Sequence, residues 1–155
     1  MKAVLAVTPG AHGVIFDQPH VIQGARASVE SWPYADRCSL VSGDFFEVVP
    51  EGDAYLLKFI LHDWDLDGVF TILRNVHRSI QLGGRLLIVE SVVPSGNEPH
   101  FSKGMDMHML IMTGGRERTA AEYRSLLTMC GFRVTRVLPT DSPVSIIEAV
   151  KSEIR

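Results

Sequence analysis

The chain is 155 residues long, with a hydrophobic fraction of 46%, a charged fraction of 21% and a formal net charge of -3. This size and composition predict one globular domain, over residues 1–155, with a single core. Lysines and arginines are scattered along the chain, which argues against nucleic-acid and membrane-surface partners. No segment reaches the roughly 20 apolar residues that cross a bilayer. Cys38 and Cys130 lack metal-ligand spacing, and we expect free thiols in a reducing cytoplasm.

Strand and helix patterns alternate along the first two thirds of the chain. Short apolar runs predict the first four strands of a mostly parallel sheet, at 13–16, 37–41, 54–60 and 85–89. Apolar residues recur at helical spacing over 69–80, after Asp65 and Asp67, which suit a helix N-terminus. We expect the glycine pair at 83–84 to end that helix and lead into the fourth strand.

Two helices and two strands are expected in the remaining third. Residues 101–112 form a methionine-rich helical segment, and Thr119 with Glu122 fits a capping box that opens a second helix ending at Gly131. Apolar runs at 133–138 and 144–150 predict the last two strands, whose short connection suits an antiparallel hairpin. The order β-α-β-β-α-β-α-α-β-β indicates an α/β fold with a sheet flanked by helices.

The third strand leads into the most informative segment, residues 53–67, DAYLLKFILHDWDLD. Its apolar run ends at His62, among several carboxylates. In open α/β sheets, ligands bind beyond the carboxyl ends of the strands. A histidine there can exchange a proton near neutral pH, because its unperturbed pKa is about 6.5. His62 is therefore the leading candidate for a catalytic base, although an isolated histidine at a strand end is more often structural.

Acidic residues follow three of the predicted strands. Asp17, Asp44 and Glu90 lie at or just after strand ends, where a carboxylate can accept the hydroxyls of a ribose. A turn or cap role explains Asp17 alone equally well. The segment from Asp63 to Gly68 begins like a calcium-binding loop, but its twelfth position holds an arginine instead of the required glutamate. The carboxylates thus outline a nucleotide-like crevice, and we predict no metal site.

Five motifs occur in a characteristic order: FDQPHV at 16–21, GDFF at 43–46, HDW at 62–64, VESVVP at 89–94 and GGRERT at 114–119. Through them, almost the whole chain resembles the plant-type O-methyltransferases that use S-adenosyl-L-methionine, the caffeic acid/hydroxyneurosporene-like family. The resemblance implies a Rossmann-like class I methyltransferase sheet whose last two strands form an antiparallel hairpin. It also implies methylation of a small hydroxylated, aromatic acceptor, with no metal required.

The resemblance further implies a role for each site residue. His62 would be the general base for in-line methyl transfer, oriented by Glu90 and Glu117. Asp17 would hold the ribose hydroxyls of the cofactor, and Asp44 and Phe45 would bracket its adenine. Lys58 would also contact the cofactor. The acceptor pocket would be lined by Met105, Met109 and Met112. Two simpler explanations remain open. The methionines can fill a core, and Glu117 can be a surface charge.

The family also has features that this sequence does not show. Members carry a glycine-rich loop upstream of the position of Asp17, and residues 1–13 resemble only the end of the helix that follows that loop. We therefore expect the first strand, the loop and the N-terminal dimerisation region of the homodimeric family to be missing, with weak cofactor binding and no efficient catalysis by the isolated chain. One alternative is a non-catalytic remnant that acts as an interaction module. Another, a nucleotide-dependent oxidoreductase, is disfavoured because the sequence contains no GxGxxG motif.

Overall fold

The computed structural model describes residues 1–152 and divides into two compact units, Met1–Pro50 and a second that begins at Glu51. In the first unit, strands β1 and β2 pair in parallel, from Gly13 opposite Cys38 to Asp17 opposite Ser42. Pro19 starts the second helix, at a position where its missing N–H costs nothing. The elements are α1 (Lys2–Val7), β1 (Gly13–Asp17), α2 (Pro19–Glu30), a 3-10 turn (Ala35–Arg37) and β2 (Cys38–Ser42).

The second unit contains a four-stranded sheet with the order β3-β4-β8-β7 and a separate short parallel pair, β5-β6. Strand β3 runs parallel to β4, whereas β8 is antiparallel to both of its neighbours. The elements are β3 (Gly52–Lys58), a 3-10 turn (Leu61–Asp63), α3 (Leu66–Ser79), β4 (Ile80–Glu90), β5 (Val92–Val93), α4 (Phe101–Met112), β6 (Arg118–Thr119), α5 (Ala120–Met129), β7 (Phe132–Pro139) and β8 (Ser145–Lys151).

The core of the second unit lies between this sheet and the helices α3 and α5. Apolar residues at helical spacing on α3 are fully buried, as are alternate residues of β4 and β8, which is the pattern that each element's period requires. Helix α5 adds a smaller buried face. The buried apolar residues are Val69, Ile72, Leu73 and Val76 on α3, Leu86 and Ile88 on β4, Tyr123, Leu126 and Leu127 on α5, and Ile147 and Ala149 on β8.

The α/β class, the six strands, the helix at 101–112 and the antiparallel final hairpin are confirmed. Asp65 caps α3 by accepting a hydrogen bond from the backbone N–H of Gly68 at 2.9 Å, and Thr119 and Glu122 form the reciprocal capping box of α5. Among residues 1–152, no helix is long and apolar enough to cross a bilayer. Strands β1-β2 and β3-β4-β8-β7 form separate sheets.

Two predicted boundaries are wrong. Helix α3 ends at Ser79 and not at the glycine pair, which lies inside β4. There Gly83 has a φ of +77°, and a side chain on Gly84 would overlap the backbone of β3. Gly83 therefore provides a left-handed backbone conformation, and Gly84 allows the close approach of β4 to β3. The third strand ends at Lys58 and not at residue 60, because Phe59 adopts a left-handed backbone conformation with a φ of 54°.

Candidate active site

Pairing of the strands brings His62 and Glu90 to one edge of the sheet. Strands β3 and β4 run in parallel register from Ala54 opposite Arg85 to Lys58 opposite Val89. Beyond Lys58, the 3-10 turn carries His62, while Glu90 is the last residue of β4. Parallel strands present their carboxyl ends at the same edge, so the two side chains meet there.

The short pair β5-β6 brings Glu117 to the same place. Val92 of β5 lies opposite Arg118 of β6. Glu90 is two residues before Val92, and Glu117 is the residue before Arg118. This parallel pair therefore places the two glutamates, which lie 27 positions apart in the sequence, beside the same imidazole.

The three side chains form a buried cluster. His62 Nδ1 lies 3.0 Å from Glu117 Oε1 and 3.4 Å from Glu90 Oε2, and its Nε2 lies 3.6 Å from Asp63 Oδ1. His62 is 6% exposed, Glu117 2% and Glu90 0%. The other oxygen of Glu90 accepts hydrogen bonds from two backbone N–H groups of the histidine turn, those of residues 60 (3.1 Å) and 61 (3.0 Å). Glu90 is therefore held in place independently of the histidine.

Burial and charge act in opposite directions on these groups. Burial opposes the charged form of His62, but the hydrogen bond that His62 donates to Glu117 and the charges of Glu90, Glu117 and Asp63 outweigh it and raise the pKa of His62 above 6.5. Burial raises the pKa of Glu90 to about 7, against the lowering effect of His62. With Nδ1–H donated to Glu117, the neutral imidazole carries its lone pair on Nε2. The cluster can thus exchange protons near neutral pH.

Sequence reasoning missed the residues that fix the histidine turn. Arg118 is 2% exposed, and its guanidinium donates hydrogen bonds to the carbonyl oxygens of Leu61 at 2.9 Å and Trp64 at 3.3 Å. The backbone N–H of Arg116 donates to the carbonyl of His62 at 2.9 Å. A Cβ on Gly115 would overlap that same carbonyl oxygen. The only sequence signal for these contacts is the motif at 114–119, for which the family resemblance implies a role of Glu117 alone.

Phe59 is a second feature without a sequence signal. Its ring stacks on the imidazole of His62 at 5.5 Å between centroids, with 22° between the planes. A positive φ is a genuine outlier for a bulky residue, and such strain is often kept at functional sites. The exposed Lys58 places its Nζ 5.5 Å from the Phe59 ring centroid. Phe59, the residue after β3, therefore links that strand to the buried cluster through its ring contact with His62.

The residues expected to hold the cofactor's adenosine occur in the first unit. Asp17 ends β1, and the backbone N–H of Gly43 donates to its carbonyl at 3.0 Å, so the exposed side chains of Asp17 and Asp44 belong to the same edge. Each carboxylate also accepts a local backbone hydrogen bond, Asp17 from Gln18 at 2.7 Å and Asp44 from Phe46 at 2.8 Å. For both aspartates, a role in the local turn is therefore compatible with a role in cofactor binding. Phe45 is half-buried beside them.

The three methionines expected to line an acceptor pocket differ in their surroundings. All lie on α4, at positions that share one helical face. Met109 is 7% exposed, Met105 is half-buried and Met112 is 66% exposed. Core packing is thus sufficient to explain Met109 but not Met112. Asp106, on the same helix, accepts a hydrogen bond from the backbone N–H of Glu117 at 2.9 Å and so connects α4 to the cluster.

One donor atom from each of His62, Glu90 and Glu117 lies within 4.8 Å of the others, which is close enough for a shared metal ion. However, Nδ1 of the histidine is occupied by its hydrogen bond to Glu117, and one oxygen of Glu90 is occupied by two backbone N–H groups. These hydrogen bonds hold the three side chains in place. Although Glu90 Oε2 and Glu117 Oε2 have no hydrogen-bond partner among residues 1–152, we assign no metal to the cluster.

Residues 1–133 match a family model described as the O-methyltransferase domain. Among curated proteins, the chain is 49% identical over 150 residues to phenazine O-methyltransferase PhzM of Lysobacter antibioticus, covering 96% of this chain and 44% of that protein. The chain therefore spans less than half the length of this relative.

Solved structures show the same similarity. CalO1, a methyltransferase of calicheamicin biosynthesis in its SAH-bound form, is 41% identical with a TM-score of 0.89, over 97% of this chain and 45% of that chain. NcsB1, an O-methyltransferase of neocarzinostatin biosynthesis in complex with S-adenosylmethionine and 2-hydroxy-5-methyl naphthoic acid, is 32% identical with a TM-score of 0.85, over 96% and 44%. The α/β architecture thus matches structures of methyltransferases.

Proposed function

Because the chain belongs to the O-methyltransferase domain family, we propose that it carries the catalytic cluster of an S-adenosyl-L-methionine-dependent O-methyltransferase. The acceptor is a hydroxyl group on a small aromatic molecule. The observation that carries the proposal is the buried His62, whose Nδ1 is engaged by Glu117 at 3.0 Å. Relatives named for phenazine methylation, or complexed with a hydroxynaphthoic acid, support an aromatic acceptor.

The residues of the first unit suit the cofactor. Asp17 and Asp44 are exposed at one edge of a parallel strand pair, where carboxylates can accept hydrogen bonds from ribose hydroxyls and from the adenine amino group. Phe45 would pack against the adenine ring. In the second unit, Lys58 at the end of β3 is a further candidate for a cofactor contact, from the family resemblance. When bound, S-adenosyl-L-methionine supplies an electrophilic methyl group on a sulfonium.

In the proposed reaction, His62 removes the proton of the acceptor hydroxyl. Nδ1–H remains donated to Glu117, so the proton is accepted at Nε2. The resulting imidazolium is stabilised by the carboxylates of Glu90, Glu117 and Asp63, which lie within 3.6 Å of its nitrogens. Such base catalysis contributes about 10²–10⁴-fold to the rate, and alignment of the oxygen with the methyl group contributes further.

Cofactor binding is tested by calorimetric titration of the full chain with S-adenosylhomocysteine. We expect saturable binding that Asp17→Ala weakens at least tenfold. The matched control is Asp36→Ala, which removes an exposed carboxylate from the same unit, in the turn that precedes β2. Equal affinities for all three proteins, or no binding by a folded chain, would contradict the proposal.

The base is tested by methyl transfer from S-adenosyl-L-methionine to a panel of hydroxynaphthoic acids and hydroxyphenazines. His62→Ala should lower the rate by about 10²–10⁴-fold, whereas His12→Ala, at an exposed histidine of the first unit, should leave it unchanged.

A non-catalytic interaction module, the alternative, receives no support from these relatives, which are named as enzymes. The two free cysteines support a cytoplasmic location.

A further inference from the structure

The residue that follows β3 has a backbone conformation that its side chain disfavours. Phe59 has a φ of 54°, and among residues 1–152 it is the only residue other than glycine with a positive φ. A left-handed conformation is unfavourable for an L-residue with a bulky side chain. Phe59 is also 40% exposed, so burial of its ring in the core does not explain why a phenylalanine occupies this position. Its specific contacts must therefore offset the strain.

The left-handed conformation occurs where the backbone N–H groups change partners. The N–H of Phe59 donates to the carbonyl of Val89 at 3.1 Å, as a further rung of the pairing between β3 and β4. The next residue, Ile60, is right-handed, with a φ of -114° and a ψ of -53°. The N–H groups of residues 60 and 61 donate to Oε1 of Glu90, at 3.1 and 3.0 Å. Successive N–H groups in such a turn form a concave site for an anion, here the side chain of a buried glutamate.

The ring of Phe59 contacts the base candidate directly. It stacks on the imidazole of His62, with 5.5 Å between the centroids and 22° between the planes. The torsion that rotates an imidazole on its Cβ has a broad energy profile by itself, and a stacked ring restricts it. Rotation would take Nδ1 of His62 away from Glu117 Oε1, which lies at 3.0 Å. One residue thus constrains the imidazole through its ring and Glu90 through its backbone.

We propose that Phe59 is a positioning residue for the methyl-transfer base: its left-handed backbone directs two N–H groups onto Glu90, and its ring fixes the plane of His62. This inference rests on the proposed function, because it describes how the base is held. Its consequence is that the proton of Nδ1 stays on the side of Glu117 and the lone pair stays on Nε2. Different substitutions alter the ring and the backbone, so the two parts can be tested separately.

The ring is tested by the nitrogen chemical shifts of His62, measured by nuclear magnetic resonance of the full chain at a pH where the imidazole is neutral. The signals lost in His62→Gln identify the residue. In the parent we expect a single tautomer with the proton on Nδ1. Phe59→Leu should move the two nitrogen shifts towards each other, because a ring that rotates populates both tautomers. Phe59→Tyr, which keeps a ring, should retain the parent values.

Phe70→Leu is the matched control for the ring. Phe70 is a partly buried phenylalanine of α3, and its ring centroid lies 5.5 Å from the guanidinium of Arg74, just as that of Phe59 lies 5.5 Å from the Nζ of Lys58. The control should leave the tautomer unchanged. If methyl transfer is measured, Phe59→Leu should lower kcat about tenfold with little change in the KM of the cofactor, because a small misplacement of a reacting group is costly.

The backbone is tested by denaturant unfolding of Phe59→Gly and Phe59→Ala. Both remove the ring, and they differ in their preference for a positive φ, which glycine adopts readily. The unfolding equilibrium constant of the glycine variant should be roughly five- to thirtyfold smaller than that of the alanine variant. The advantage of glycine should persist with Glu90→Gln, which keeps an oxygen acceptor, and shrink with Glu90→Leu, which removes both oxygens.

An unchanged tautomer in Phe59→Leu, with or without a loss of stability, would assign the ring to packing alone and overturn the inference. A glycine variant no more stable than the alanine variant would overturn the role of the backbone. Neither readout requires methyl transfer. If cofactor binding or methyl transfer failed while both results held, the proposed function would be wrong, and the positioning of His62 by Phe59 would stand.

Discussion

The buried carboxyl of Glu90 makes the stability of this protein depend on pH. Burial raises its pKa from 4.5 to about 7. The folded state therefore holds a proton that the unfolded state releases. The stabilisation is fully present below pH 4.5 and is lost as the pH rises through about 7. His62 adds to the same trend, because its raised pKa gives a stabilisation that is present below pH 6.5 and is lost as the pH rises through its folded-state value.

The magnitude follows from the two pKa values of Glu90. Each pKa unit corresponds to about 1.4 kcal/mol. Between pH 5 and pH 8, this carboxyl alone should lower the free energy of unfolding by about 2–3 kcal/mol. Glu90→Gln keeps the shape of the side chain and an oxygen for the backbone N–H groups of residues 60 and 61, but it cannot ionise. The variant should match the parent near pH 5 and be more stable at pH 8.

The assay is denaturant unfolding of both proteins at pH 5, 6.5 and 8. Glu98→Gln, which removes an exposed carboxylate from the same unit, is the matched control and should reproduce the parent at each pH. If Glu90→Gln lost as much stability as the parent between pH 5 and pH 8, Glu90 would already be ionised at pH 5 in the folded state. The assignment of a neutral buried carboxyl would then be wrong.

Two further substitutions test the segment that orients the histidine. Gly115→Ala should destabilise the protein by about 1–3 kcal/mol, because the added Cβ overlaps the carbonyl of His62; unchanged denaturant unfolding would show that the contact is not tight. Thr119→Ala removes the N-cap of α5 and should cost about 1 kcal/mol in the same assay. A matched Thr128→Ala exchange near the end of that helix should cost less, and equal losses would argue against the capping box.

The local elements were predictable because their signals are local. The 3.6-residue period of α3, the capping box at Thr119 and the apolar runs of the strands each occupy one short window of sequence. The antiparallel hairpin of β7 and β8 also follows from a short connection. The predicted end of α3 was wrong because a tertiary contact, and not the local pattern, explains the glycine pair. Gly84 approaches the backbone of a neighbouring strand.

The candidate site was predictable only in part. The HDW motif and the strand-end carboxylates identified His62, Asp17 and Glu90 from the residues themselves, but Glu117 entered only through the family resemblance. The bonded partner of the histidine lies 55 positions further along the chain. No local pattern specifies such a pair, because it depends on the pairing of β5 with β6.

The sequence by itself therefore determined the order of elements, the α/β class and the identity of the base candidate, since hydrophobic period and short motifs are properties of neighbouring residues. Only the tertiary structure decided how that base is held. It buried Glu90 and raised its pKa to about 7, and it fixed the histidine turn with Arg118. These effects arise from burial and from contacts between distant segments, which exist only once the chain has folded.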